Sequence, residues 1–151
     1  MSLDDDQEDK ITFIGYFTNP NRIIFGSKEG VINIYFMSRK EPPILFAMDD
    51  EQRAGMRRIL QIVELPSKVA DCRKHIYYIL TQGNLYAMSK DDKSREILQQ
   101  FYKQDRTRYN RPRLFAMNVI MMGSQYALAL MIEGSSLLLL DPMSLQAFQA
   151  F

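Results

Sequence analysis

Apolar residues in this chain come in short runs, each closed by a Gly- or Pro-marked turn or by a polar bend. Ile11 to Thr18 reads as a strand, Asn19-Pro20-Asn21 as a turn, and Arg22 to Ser27 as a second strand. Lys28-Glu29-Gly30 is a tight reversal, with Gly where the backbone turns back on itself. Val31 to Met37 is a third strand, Ser38 to Pro43 a polar bend, and Ile44 to Met48 a fourth strand. Two prolines before Ile44 suit an edge position, because proline cannot donate to a strand ladder. The connections are short, so the four strands are predicted to form an antiparallel meander.

The same order returns twice. Met56 to Leu65 is strand-like and Pro66 to Arg73 is a loop. His75 to Thr81 and Asn84 to Met88 then flank the turn Gln82-Gly83, and Arg95 to Tyr102 closes the copy after a polar bend. Leu114 to Met122, Gln125 to Ile132, Ser136 to Leu140 and Leu145 to Phe151 make the third copy, with turns at Glu133-Gly134-Ser135 and Asp141-Pro142-Met143-Ser144. Two stretches carry a competing signal. Asp49 or Asp50 is placed to cap a short helix running to Arg58, and Lys93 to Lys103 holds residues that tolerate a helix. Leu138-Leu139-Leu140 does not alternate with polar residues, as expected of a strand covered on both faces.

The segments Ile34-Tyr35-Phe36-Met37-Ser38, Leu85-Tyr86-Ala87-Met88-Ser89 and Leu140-Asp141-Pro142-Met143-Ser144 align by eye at a spacing of roughly 50 residues, a period typical of repeat architectures. One such unit cannot bury its own apolar faces and needs neighbours. The expected fold is all-β, with about three four-stranded antiparallel units over residues 11–48, 56–102 and 114–151. Residues 1–10 are expected to form a disordered acidic tail. The alternative is a single antiparallel β or α+β domain whose hairpins merely look alike.

These units resemble the blades of β-propellers of the WD40-like and quinoprotein-like kinds. Gln82-Gly83-Asn84-Leu85-Tyr86-Ala87-Met88 is similar to the inner turn of quinoprotein-like blades. Ser136 to Leu140 followed by Asp141 is similar to the third strand of a WD40 blade. The chain has no Trp and no Gly-His pair, so the docking signatures of those families are absent and nothing supplies a quinone cofactor's ligands. Closed propellers hold about four to eight blades. Three blades leave two open sheet faces, and exposed apolar faces of that size mark interaction surfaces. Two copies pairing into a ring, another protein completing it, or a longer parent chain would each cover them; the abrupt stop at Phe151 inside an apolar strand suits the last.

Bulk properties narrow the function. The chain has 151 residues, 46% of them hydrophobic, with 19 Lys+Arg against 18 Asp+Glu, so any electrostatic recognition comes from local patches. Cys72 is the single cysteine, and the acidic start lacks the basic front and apolar stretch of a signal peptide. Both favour a reduced intracellular setting, cytoplasmic or nuclear. No apolar run reaches the length of a membrane span, so no membrane role is expected. Cys72 and His75 form a Cys-x-x-His pair with no second pair to complete a metal site, and no nucleophile lies beside an evident base. Gly26-Ser27-Lys28-Glu29-Gly30 lacks the spacing of a phosphate-binding loop. The expectation is a non-enzymatic protein without cofactor or metal.

The candidate contact residues are basic. Lys103, Arg106, Arg108, Arg111 and Arg113 interleave with Tyr102 and Tyr109 in the connection before the third unit, against one acid, Asp105. Arg53, Arg57 and Arg58 occupy the preceding inter-unit connection. The propeller resemblance implies that both connections share one face with the Lys28-Glu29 turn. Such a surface would grip an acidic protein segment through bidentate arginines. It would alternatively contact nucleic-acid phosphates while the tyrosines stack on bases. The expected role is a scaffold or adaptor within an intracellular complex, with self-association through the open faces. The alternative is a nucleic-acid-associated module using the Lys103 to Arg113 loop.

Overall fold

The computed structural model of the protein describes residues 9–18, 21–38, 43–47, 56–65, 76–89, 97–102 and 111–151. Twelve strands and no helix occur among them. Strands β1 (Ile11–Phe17), β2 (Arg22–Ser27), β3 (Val31–Phe36) and β4 (Ile44–Ala47) form the first sheet. Strands β5 (Ile59–Glu64), β6 (Ile76–Thr81), β7 (Leu85–Ser89) and β8 (Ile97–Gln100) form the second. Strands β9 (Leu114–Met122), β10 (Gln125–Ile132), β11 (Ser136–Leu140) and β12 (Ala147–Ala150) form the third. Each is an antiparallel meander in sequence order, as the short connections require.

The second sheet lies between the other two. Strands β1 and β2 pack on β5, and β5 and β6 pack on β9, so the first strand of each unit runs beside the first strand of the next. One apolar layer, with Ile24, Ile32 and Ile34 against Ile59, Tyr77, Ile79 and Tyr86, joins the first sheet to the second. Another, with Tyr78, Leu80, Leu85 and Ala87 against Leu114, Leu128, Leu130 and Leu140, joins the second to the third. The period of two makes this possible. In β6, Tyr77 and Ile79 point to one layer while Tyr78 and Leu80 point to the other, so both faces of the central sheet are core.

Close approach at the first joint depends on Gly26. A Cβ placed there would lie 2.7 Å from the Ile59 Cβ, so any side chain would displace β5. The hairpin turns use Gly for another reason: Gly30 and Gly134 have φ of 84° and 89°, a region that costs other residues a steric penalty. Leu145 adopts φ 57° without that freedom. Its turn is fixed by the Asp141 carboxylate, which accepts from the Met143 and Ser144 amides at 2.8 and 3.0 Å, and its side chain is buried in the second apolar layer.

One expectation needs correction. The three Met-Ser segments are not equivalent. Ile34 to Ser38 covers the end of β3 and its turn, Leu85 to Ser89 is the whole of β7, and Leu140 to Ser144 begins where β11 ends. The equivalent positions are the hairpin turns at Gly30, Gly83 and Gly134, because the turn fixes the strand register and the loosely similar apolar sequences do not. The strand expected at Arg95 to Tyr102 is present as β8 among the described residues, held to β7 by Tyr86↔Gln100 and Ala87↔Gln99 pairing, and the competing helix signal over Lys93 to Lys103 does not prevail there. A ladder partner outweighs a weak local propensity. The helical turn weighed for Asp49 to Arg58 falls mostly outside the described residues; Met56 and Arg57 form a turn, and β5 begins only at Ile59.

Candidate functional site: a charged edge and two open sheet faces

A meander alternates its connections between two edges of the sheet. The turns at Lys28-Glu29, Gln82-Gly83 and Glu133-Gly134 therefore share an edge with the connections entering β5 and β9. Hydrogen bonds fasten this arrangement. The Gly83 amide donates to the Met56 carbonyl (3.2 Å), the Leu114 amide to the Gln82 carbonyl (3.1 Å), and the Glu133 amide to the Arg113 carbonyl (2.8 Å). Arg57 reaches the first of these turns directly, donating from Nη2 to Glu29 Oε2 at 2.9 Å.

Arg57, Arg58, Arg111 and Arg113 thus lie on one edge of the array. Arg58 and Arg113 are exposed. Arg53, Lys103, Arg106, Arg108 and Tyr109 lie outside the described residues, as do Cys72 and His75. The edge is not purely basic. Glu29 sits against Arg57, and Glu133 Oε2 accepts from the Arg113 amide at 3.1 Å. Asp9 and Lys10 also reach it: the Asp9 carboxylate accepts from the Ser27 hydroxyl (2.5 Å) and the Glu29 amide (2.9 Å), and the Lys28 amide donates to the Lys10 carbonyl.

Arg111 is organised by an aromatic ring. Its guanidinium lies 5.1 Å from the centre of the Tyr102 ring, and the Tyr102 hydroxyl donates to the Pro112 carbonyl at 2.9 Å. Buried Asn84 fixes Tyr102 in turn. Its Oδ1 accepts from the Tyr102 amide (2.8 Å) and its Nδ2 donates to the Tyr102 carbonyl (3.0 Å). The base of the basic connection is therefore tied to the hairpin turn of the second sheet. Partial burial pushes the Tyr102 phenol above its usual range, with Arg111 opposing and Glu133 reinforcing the shift.

A second polar cluster was not anticipated from the sequence. Arg22, only 2% exposed, is inserted between the first two sheets at the opposite edge. It pairs with Glu64, donates from Nε to the Tyr77 hydroxyl at 2.8 Å and from Nη1 to the Thr18 carbonyl at 3.1 Å, and lies 5.6 Å from the centres of both the Phe17 and Tyr77 rings. A cation buried this deeply is retained only with such partners. The visible signal was an arginine at an inward position of β2, whose pairing with Ile24 and Gly26 on the same face follows from the strand period.

The remaining feature is apolar. On the first sheet, the face away from the second carries Ile14, Tyr16, Ile23, Phe25, Tyr35 and Leu45 around the polar Asn33, all brought to one side by the register Ile14↔Phe25↔Asn33↔Leu45 and Tyr16↔Ile23↔Tyr35. Tyr16 is 59% exposed and Leu45 66%. On the third sheet, the outer face carries Ile120, Ala127, Ala129, Met131, Leu137 and Leu139 beside the polar Asn118 and Gln149, with Ala127 and Leu139 buried by their neighbours.

No protein-family model and no curated protein matches the sequence. Among solved structures, the crystal structure of BBS1N in complex with ARL6DN, soaked with lead, matches with a TM-score of 0.61 and 11% sequence identity. The match covers 95% of this chain and 44% of that one, so the chain spans less than half the length of its structural neighbour. BBS1N is a β-propeller domain. With three consecutive four-stranded antiparallel sheets superposing on it, the fold of this chain is all-β and propeller-like.

Proposed function

We propose that this chain is a non-enzymatic scaffold or adaptor module of an intracellular protein complex. The observation that carries the reading is the pair of apolar sheet faces left open at the ends of the array, one with Tyr16 and Leu45 more than half exposed. Exposed apolar side chains grouped on one face are the kind of surface that meets another protein. The structural neighbour supports the class of activity, since BBS1N was crystallised in a complex with ARL6DN. The partner surfaces are the two end faces and the edge bearing Arg57, Arg58, Arg111 and Arg113; Arg53, Lys103, Arg106, Arg108 and Tyr109, which neighbour these in the sequence, are proposed as contact residues with them. The edge is suited to an acidic segment: guanidinium groups donate paired hydrogen bonds to carboxylates, and Tyr102 holds one of them in place.

The test uses two fluorescent probes, a Glu/Asp-rich peptide and a generic single-stranded RNA, with the wild type and with a variant carrying Arg57→Ser, Arg58→Ser, Arg111→Ser and Arg113→Ser. The peptide is expected to bind the wild type and the variant about tenfold more weakly, with stability changed by no more than about 1 kcal/mol because exposed charges contribute little. Preferential RNA binding with a steep loss on adding salt would replace the acidic partner by a nucleic acid. Equal peptide affinity in both proteins would remove the edge from the partner surface.

A further inference from the structure

The chain is fastened to the charged edge before its first strand begins. Both carboxylate oxygens of Asp9 are used there: Oδ2 accepts from the Ser27 hydroxyl and Oδ1 from the Glu29 amide at 2.9 Å. The Lys28 amide donates to the Lys10 carbonyl at 2.7 Å. Ser27 is held in turn, since its Oγ accepts from the Val31 amide at 2.9 Å. Asp9 and Lys10 are therefore clamped onto the β2–β3 turn. Glu29, whose amide Asp9 holds, is the residue that pairs with Arg57. Arg58 follows it, exposed and without an ion pair to a described residue. The clamp thus brings the chain to within one side chain of Arg57. The residues that precede it are Asp4-Asp5-Asp6-Gln7-Glu8, where every position but Gln7 is acidic.

We propose that Asp4 to Glu8 is an intramolecular ligand of the arginine edge, which occupies Arg57 and Arg58 and yields to the acidic partner by competition. Reach is no obstacle. A segment of this length extends about 17 Å, and Arg57 lies a single Glu29 side chain away from the clamp. Charge is complementary, because guanidinium groups donate paired hydrogen bonds to carboxylates. Glu29 already makes the same contact from within the fold, with its Oε2 at 2.9 Å from Arg57 Nη2. The short tether holds the acids near the edge at an effective concentration on the order of millimolar, so a weak contact is populated. A partner's acidic segment has to displace it, and the apparent affinity falls with the fraction of chains whose edge is open. The inference rests on the reading of this edge as a site for an acidic segment, and it adds a control on access to that site.

The test compares the wild type with two variants of equal charge change. One carries Asp5→Asn and Asp6→Asn in the acidic segment, which leaves the Asp9 clamp intact. The other carries Asp91→Asn and Asp92→Asn in the connection after β7. The probe is the Glu/Asp-rich peptide. A second readout, the guanidinium NMR signals of Arg57 and Arg58, reports on the edge with no peptide present. The segment variant is expected to bind the peptide roughly threefold to tenfold more tightly at low salt, with the gain shrinking as salt is added, and to show shifted Arg57 and Arg58 signals. The Asp91 and Asp92 variant is expected to show a smaller gain and unmoved arginine signals. Unchanged affinity with unmoved signals in the segment variant overturns the inference and leaves the edge reading in place. Equal gains in the two variants also overturn it, since net charge alone would then be acting. Should no protein bind the peptide while the arginine signals move in the segment variant alone, the acidic-partner reading of the edge fails and the intramolecular contact stands.

Discussion

At the scale of single residues, the joint between the first two sheets is set by one absent side chain and one buried charge. Gly26→Ala would press a methyl group onto the Cβ of Ile59, an atom that moves only with its backbone, so a loss of about 1–3 kcal/mol is expected in urea unfolding. Glu64→Ala would leave the Arg22 guanidinium, buried between Phe17 and Tyr77, without its carboxylate. Removing one partner of a buried pair costs about 3–5 kcal/mol; Glu64 is itself partly exposed, which places this loss toward the lower end. Tyr102 supplies the pH dependence. Its phenol titrates higher in the folded protein than in the unfolded chain, chiefly through burial, so the folded state holds that proton more tightly. The stability this contributes is complete below the unfolded value and is lost as pH rises through the folded one. Tyr102→Phe is expected to remove a step lying above the ordinary tyrosine range from a phenolate absorbance titration.

At the scale of elements, strands were more legible than their mutual alignment. The bounds of β2, β9, β10 and β11 follow directly from runs of apolar residues between Gly-marked turns. Strand β8 was ambiguous because Ile97–Gln100 has no strong local preference, and its state is decided by pairing with β7. The repeat was recognised through Met-Ser resemblances that fall at different points of the third strand in each unit, whereas the turn glycines carry the register. At the candidate site, Arg57, Arg58, Arg111 and Arg113 were visible as a local excess of charge. The Arg22–Glu64 pair was not, because its members lie 42 residues apart and meet only once two sheets have packed. Asn84 was hidden for the same reason: its importance lies in the backbone groups of Tyr102 that it satisfies. Asn84→Ala would leave those groups without their partners, and about 1–3 kcal/mol of stability should go with them. Hydrogen exchange is expected to show faster opening at the end of β8, with the Tyr102 to Arg111 contact loosened and peptide affinity at the edge reduced.

At the scale of the whole molecule, the three sheets form an array with a fully enclosed middle and two unfinished ends. The central sheet has core on both faces, while each outer sheet has core on one. Its outward faces carry Phe25, Tyr35 and Leu45 at one end and Ile120, Met131 and Leu137 at the other, where water is the poorest neighbour for such side chains. The scaffold function proposed for this protein follows from that geometry, because exposed apolar faces of this kind mark surfaces that meet a partner. The direct measurement is the native mass of the purified chain by light scattering across a range of concentrations. A mass that rises above that of one chain, or a monomer that binds the dye ANS, is the expected result. A monomer that persists at high concentration, with no binding of the dye ANS to exposed apolar surface, would contradict the account, since end faces of the kind described do not stay both bare and inert.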